Sequence, residues 1–311
     1  MTSACFDEAG PQGIRGSVVL GRTFEDHFVD VNGIRMHYVA GGSGPTMLFV
    51  HGFPTLWYTW RNQLREFGRD HRVVAPDMRG FNLTSKPRAV PHYGIRILVD
   101  DLRALVEHLG GEPVEVVGDD WGGLVSWAFA LYYPELVKRL VILSSPHPAI
   151  FDRELRENPM HQQASQYLLA LRMPTAEEIV AGNDFAVLRE SILELDFFAD
   201  EDREVYLRSW RQPGGLSGAL NWYRHAWLGP PSGDGMPPHG NYVPELLDQT
   251  VRPRTLVIKA SGCPYFLDST LRGLEQHVPD VTIRRVETRS HWIAEEQPDA
   301  VSAHIREFLA R

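Results

Sequence analysis

Apolar positions along this chain fall into two periods. Residues 46–50, 72–75, 114–117 and 140–143 form short runs dominated by apolar side chains, and the strand pattern resumes at 254–259 and 281–286. Runs of this length between turn signals read as strands buried on both faces. Residues 60–67, 93–109, 124–130, 270–277 and 300–310 carry helical periodicity instead. The second of these stops at Gly110-Gly111, a helix C-terminal signal. Residues 28–40 alternate, broken at Asn32-Gly33, the two-residue signature of a hairpin. Strands alternating with helices predict an α/β fold: a mostly parallel sheet with helices on both faces.

The alternation stops near Pro146 and resumes near Arg254. The intervening chain is helix-like, rich in Trp and Tyr, with a Pro/Gly-rich stretch at 229–240. The simplest partition is a sheet core at 25–146 and 252–311, a helical insertion at 147–251 and an N-terminal extension at 1–24. No internal repeat is visible.

Composition narrows the function. With 43% hydrophobic and 23% charged residues in 311, the chain is an ordinary globule of one large domain or a domain with an insertion. A net charge of −9 without a basic tract argues against nucleic acid as a partner. No apolar run is long enough to span a membrane, and Asp7, Glu8, Gly10 and Pro11 occupy the place of a signal-peptide core. Two cysteines, Cys5 and Cys263, give no disulfide framework. A cytoplasmic location is the expectation. None of the thirteen His falls into metal-ligand spacing, and no cofactor is expected.

The chemistry concentrates at Gly118-Asp119-Asp120-Trp121-Gly122-Gly123. A strand, a sharp turn with glycine two positions either side of a central residue, then a helix is the context of a nucleophile elbow. The central residue is Asp120. A serine there suits acyl transfer, whereas a carboxylate suits substitution at saturated carbon, such as opening an epoxide or displacing a halide. His291 follows the last predicted strand, so nucleophile precedes histidine in chain order, and histidine is the natural base for activating water. His51-Gly52-Phe53-Pro54 ends an earlier strand. The N–H groups of Phe53 and Trp121 are candidates for an oxyanion hole.

These motifs together resemble the α/β-hydrolase superfamily, and within it the epoxide hydrolases. The resemblance rests on His51-Gly52-Phe53-Pro54 with Trp57 and Trp60-Arg61; on Pro76-Asp77-Met78-Arg79-Gly80-Phe81 with Ser85-Lys86-Pro87; and on the Asp-Trp-Gly-Gly elbow and Ser290-His291-Trp292. In the insertion, Gln212-Pro213-Gly214-Gly215-Leu216 and Leu220-Asn221-Trp222-Tyr223-Arg224 resemble the family's cap. The match covers residues 25–311. It implies an α/β-hydrolase fold with a helical cap, and an alkyl-enzyme ester on Asp120 that water hydrolyses to a diol. It implies that Tyr223 and Tyr167 hold the epoxide oxygen. Phe53, Trp121, Trp222 and Cys263 are expected around a small hydrophobic substrate, with a homodimer as the candidate assembly. The Asn that haloalkane dehalogenases tend to have in place of Phe53 is missing, as is the haloacetate dehalogenases' His-Trp pair near Tyr167.

Two departures stand out. The family usually has His before the nucleophile; here it is Asp119. Successive side chains at a strand end point apart, so weak coupling to Asp120 is expected. The triad acid usually follows the strand ending near Ala260, where this chain has Cys263; the alternative position has Ser144-Ser145. Asp268 is the nearest carboxylate that a shifted loop could supply. Without one, a trapping protein or a ring-opening biosynthetic enzyme is an alternative reading.

Overall fold

The computed structural model describes residues 13–16, 20, 23–232 and 237–311. Most of the 1–24 extension, with Cys5, and part of the 229–240 stretch lie outside the described residues. Among the described residues no helix is long and apolar enough to cross a membrane.

Eight strands form one sheet: β1 (Phe24–Val31), β2 (Ile34–Gly41), β3 (Thr46–Val50), β4 (Arg72–Pro76), β5 (Val114–Asp119), β6 (Val137–Leu143), β7 (Arg254–Ala260) and β8 (Val281–Val286). Their spatial order is β1-β2-β4-β3-β5-β6-β7-β8. The hairpin β1–β2 and the β2–β4 pair are antiparallel, and every later pair is parallel. Asn32 and Gly33 both have positive φ, 43° and 77°, the type I′ geometry that matches the twist of paired strands. Every residue of β5 is buried, so its apolar positions do not alternate with exposed ones, and its one mid-strand charge, Glu115, is paired with Arg139 at 2.7 Å.

Helices α1 (Arg61–Phe67), α2 (Ile95–His108), α3 (Trp121–Tyr132), and at the C-terminal end α10 (Ile293–Glu296) and α11 (Pro298–Leu309), accompany the sheet. Between β6 and β7 come α4 (Pro148–Glu157), α5 (Pro159–Ala164), α6 (Tyr167–Leu171), α7 (Ala176–Leu188), α8 (Asp200–Trp210) and α9 (Gly215–Ala226). The helix expected at 270–277 does not form. Two single 3₁₀ turns, Asp268–Leu271 and Leu274–Gln276, stand in its place, because Gly273 takes φ 78° and breaks the run.

The α4–α9 segment is tied to the sheet through buried donors. Trp210 Nε1 donates to the Pro54 carbonyl at 2.7 Å and Trp222 Nε1 to the Arg79 carbonyl at 2.9 Å. Tyr206 donates to Glu295, which also takes Arg61 Nη1 at 2.8 Å. Leaving such buried donors unpaired would cost about 1–3 kcal/mol each, so these bonds fix where the helices sit.

Candidate active site

Phe53, Asp120, Ser144, Cys263 and His291 all lie just past the carboxyl ends of parallel strands: β3, β5, β6, β7 and β8 respectively. Sheets of this kind hold their sites in the crevice at that edge.

Asp120 is held in a strained conformation, φ 53° and ψ −124°, between β5 and α3. Close packing by glycines makes this possible. A Cβ on Gly52 would stand 2.4 Å from Asp120 Oδ1, and one on Gly122 would stand 2.1 Å from the Val50 carbonyl. The strain lifts the carboxylate clear of the sheet, with the N-terminus of α3 beside it to favour negative charge. Oδ1 accepts the Phe53 N–H at 2.8 Å, and Oδ2 stands 3.3 Å from His291 Nε2.

His291 is buried, and its backbone carbonyl accepts the Ser144 hydroxyl at 3.1 Å. Its other ring nitrogen, Nδ1, faces Cys263 Sγ at 3.4 Å. Burial alone would disfavour the imidazolium. The Cys263 sulfur and the Asp120 carboxylate outweigh it and hold the His291 pKa well above the ordinary value. Burial pushes the Cys263 thiol up, but His291 outweighs it and the thiol's pKa falls below normal.

Asp268 is not the partner of His291. Its carboxylate turns outward to Arg285 Nη1 at 2.6 Å and Lys259 Nζ at 3.1 Å, and its side chain is 59% exposed. The Arg285 hydrogen bond depresses its pKa, as expected of a surface ion pair. Two cations on its own side of the loop hold it away. Asp119 is buried, with Oδ1 unpaired among the described residues, and burial is the main cause of its raised pKa, with Asp120 contributing less. That agrees with side chains that diverge at a strand end.

Asp120 and His291 line a cavity of about 220 Å³ together with Phe53, Tyr167, Tyr223 and Tyr265. Its far wall is apolar, built by Ala170, Leu171, Ile179, Val180, Val187 and Leu188. A smaller lobe of about 40 Å³ on the other side of Asp120 reaches Trp121, Leu124, Ser145 and Phe151. Tyr223 is buried, its ring edge-on to Phe53 and Trp121 with centroids 5.2 Å away in each case. Tyr167 shows 39% of its surface to solvent, yet its hydroxyl end is enclosed with Asp120. Burial, reinforced by the Asp120 charge, raises the pKa of both tyrosines, so each keeps its proton.

Two substrate-contact expectations need correction. Trp222 does not line the cavity. It is fully buried behind it, edge-on to Trp121 at 5.6 Å and to Phe81 at 5.5 Å. Successive residues on a helix point about 100° apart, so α9 can aim Tyr223 at Asp120 only by turning Trp222 toward the Arg79–Phe81 loop. Cys263 also lines neither lobe, because His291 stands between it and Asp120. Sequence reasoning missed Tyr265, whose ring packs on Tyr167 at 5.2 Å and on His291 at 5.6 Å. An aromatic two residues past Cys263, in a loop that must cross the site, was the available signal. Among the described residues no group of three His, Cys, Asp or Glu could hold a metal ion.

A strained carboxylate elbow, a histidine and a helical roof on an eight-stranded sheet define an α/β hydrolase, and residues 45–298 match the alpha/beta hydrolase fold family. The chain belongs to that family and, within it, to the epoxide hydrolases. It is 32% identical to epoxide hydrolase 2 of Caenorhabditis elegans over 93% of this chain and 81% of that protein. It is 33% identical to human epoxide hydrolase 4, over 89% of this chain and 76% of that one. Among solved structures, a Bacillus megaterium epoxide hydrolase mutant complexed with its product, (R)-3-[1]naphthyloxy-propane-1,2-diol, superposes with a TM-score of 0.86. That structure is 32% identical and the match covers 92% of this chain and 100% of that one.

Proposed function

We propose that this protein hydrates an apolar epoxide to a diol through an ester on Asp120. The observation that carries the reading is the position of the Asp120 carboxylate. It is gripped at one oxygen by a backbone N–H and at the other by His291, and it shares one apolar cavity with two buried tyrosine hydroxyls.

Oδ2 attacks an epoxide carbon. A C–O bond forms, the ring C–O bond breaks, and the departing oxygen takes a proton from Tyr167 or Tyr223. Oδ1 stays on the Phe53 N–H and becomes the ester carbonyl. Water then loses a proton to His291 Nε2 and adds to the ester carbon. The developing oxyanion on Oδ1 is met by the Phe53 N–H and the Trp121 N–H at the start of α3. Collapse breaks the acyl C–O bond, the diol oxygen leaves with the proton from His291, and the second water proton restores the tyrosine. The chain's own residues supply every group in this sequence. The apolar wall of the larger lobe suits an aryl or alkyl substituent, in keeping with the naphthyloxy diol bound to the Bacillus megaterium relative.

Asp120→Asn tests the assignment. An amide is a poor nucleophile, so both turnover and covalent adduct should vanish on intact-protein mass spectrometry with styrene oxide. Persistence of an adduct on the refolded, sequence-verified Asn variant, with no deamidation, would refute it.

A further inference from the structure

The position that usually carries a carboxylate beside the histidine is filled by sulfur. Cys263 Sγ lies 3.4 Å from His291 Nδ1, while Nε2 on the far side of the ring lies 3.3 Å from Asp120. The sulfur sits in a pocket built for an anion: the backbone N–H groups of Tyr265 and Phe266 face it, as does the imidazole.

Counting protons shows what this changes. To activate water, Nε2 must offer a lone pair, so the ring's proton must sit on Nδ1 and be donated to an acceptor. A carboxylate accepts that bond over the whole physiological range. A thiol offers its own proton instead: S–H donates to Nδ1, the ring proton moves to Nε2, and the lone pair is lost. While Asp120 is a free carboxylate this does no harm, because Nε2–H donates to Oδ2. Once Asp120 is an ester its charge is gone, and the proton on Nε2 blocks the attack of water.

On the ester reading above, we infer that Cys263 is a positioning residue whose proton gates the hydrolytic half of the reaction. The Cys263–His291 couple must give up one proton to solvent before water can attack, leaving a thiolate that accepts Nδ1–H and an Nε2 with a free lone pair. Ring opening by Asp120 needs no such loss. The two halves therefore have different pH dependence, with hydrolysis displaced to higher pH.

Other titratable groups face this couple. Asp119 and Asp120 come from the end of β5, Tyr167 from α6 and Tyr265 from the Cys263 loop, and Glu295 of α10 acts on Asp119 behind them. On the outer side Cys263 borders a groove carrying Lys259, Asp268, Arg153 and Arg289. All of these are unchanged in a Cys263 variant, so a shift between variants reports the sulfur.

The experiment is single-turnover mass spectrometry of wild type, Cys263→Asp and Cys263→Ser with styrene oxide, following adduct decay from pH 5 to pH 10. A carboxylate carries no proton that must leave before Nε2 is freed, whereas a serine hydroxyl keeps its proton across this whole range and never becomes an anion. Cys263→Asp should therefore move the decay midpoint to lower pH, by about one unit or more, since thiol and carboxylate differ by roughly four to five units in ordinary pKa, and Cys263→Ser should lose the rise with pH that thiolate formation gives wild type. Asp should also raise the plateau, because an anion stabilises the imidazolium, and Ser should lower it. At pH 7 the adduct should decay about tenfold faster in the Asp variant than in wild type. A merely structural cysteine would alter the plateau and leave the midpoint in place, so coincident midpoints overturn the inference. If Cys263→Asp does not fold, the near-isosteric Ser variant decides: decay that stays slow up to pH 10 supports the inference, and decay that rises at the wild-type midpoint overturns it. Neither adduct nor diol from wild type would overturn the Asp120 ester itself. An adduct that decays with coincident midpoints overturns only the role of Cys263.

Discussion

Removing the Tyr223 hydroxyl isolates the ring-opening step. Tyr223→Phe keeps the ring that packs against Phe53 and Trp121, so the aromatic frame around Asp120 survives. What is lost is one of two buried O–H donors that share the cavity with Asp120. A positioned general acid is worth about 10²–10⁴-fold in rate. With Tyr167 still in place, the single variant should fall at the low end, about 10²-fold, or roughly 2.7 kcal/mol of barrier. The Tyr167→Phe/Tyr223→Phe double variant should lose about 10⁴-fold, roughly 5.5 kcal/mol, because neither donor can then protonate the opening oxygen. The assay is rapid-quench measurement of adduct appearance under single turnover, which reads opening without hydrolysis. Near-native thermal unfolding in each variant excludes a folding cause. Opening rates equal to wild type in both variants would refute the reasoning and remove the tyrosines from the chemistry.

His291→Gln should let the ester accumulate, seen as a protein mass increased by the whole epoxide, because alkylation needs no base and hydrolysis does; adduct that decays at the wild-type rate would exclude His291 as that base. Gly52→Ala should slow alkylation by about 10²-fold or more with near-native circular dichroism, because the new Cβ would crowd Asp120 Oδ1 off the Phe53 N–H; unchanged alkylation would show that Asp120 does not need that grip. His37 lies between Asp77 (2.6 Å) and Asp26 (3.0 Å). Burial opposes its charge, but the two carboxylates outweigh burial and raise its pKa to about 9. A folded value above the unfolded one gives stability that is full below about pH 6.5 and is lost as pH rises through 9, on the order of 3 kcal/mol. Denaturant midpoints of wild type should fall across that window, and those of His37→Gln should not.

The sheet, the elbow and the order of the chemistry are written in local stretches of the chain. Runs at 46–50, 72–75, 114–117, 140–143 and 254–259 lie in strands β3 to β7, because burial on both faces favours apolar sequence, whereas 281–286 forms the edge strand β8, in which only Val286 is buried and the sequence is mixed. Asp120 and His291 were legible because a strand-to-helix turn flanked by glycines is a local event, and so was the hairpin at Asn32-Gly33. Other features depend on contacts between distant segments. The partner of His291 could not be read from spacing: Asp268 is five residues from Cys263, yet Lys259 and Arg285, brought beside it by the pairing of β7 with β8, turn it outward. The division of labour between Trp222 and Tyr223 is likewise tertiary, since either neighbour on α9 could have faced Asp120. The Arg79 carbonyl, which takes the Trp222 indole N–H, decides it. The apolar wall of the cavity and Tyr265 come from segments far apart in the chain. Local patterns set where the chain must turn and what it must bury; which side chains meet across the crevice is set by how β3, β5, β6, β7 and β8 stand side by side beneath the helices, a geometry no stretch of sequence contains.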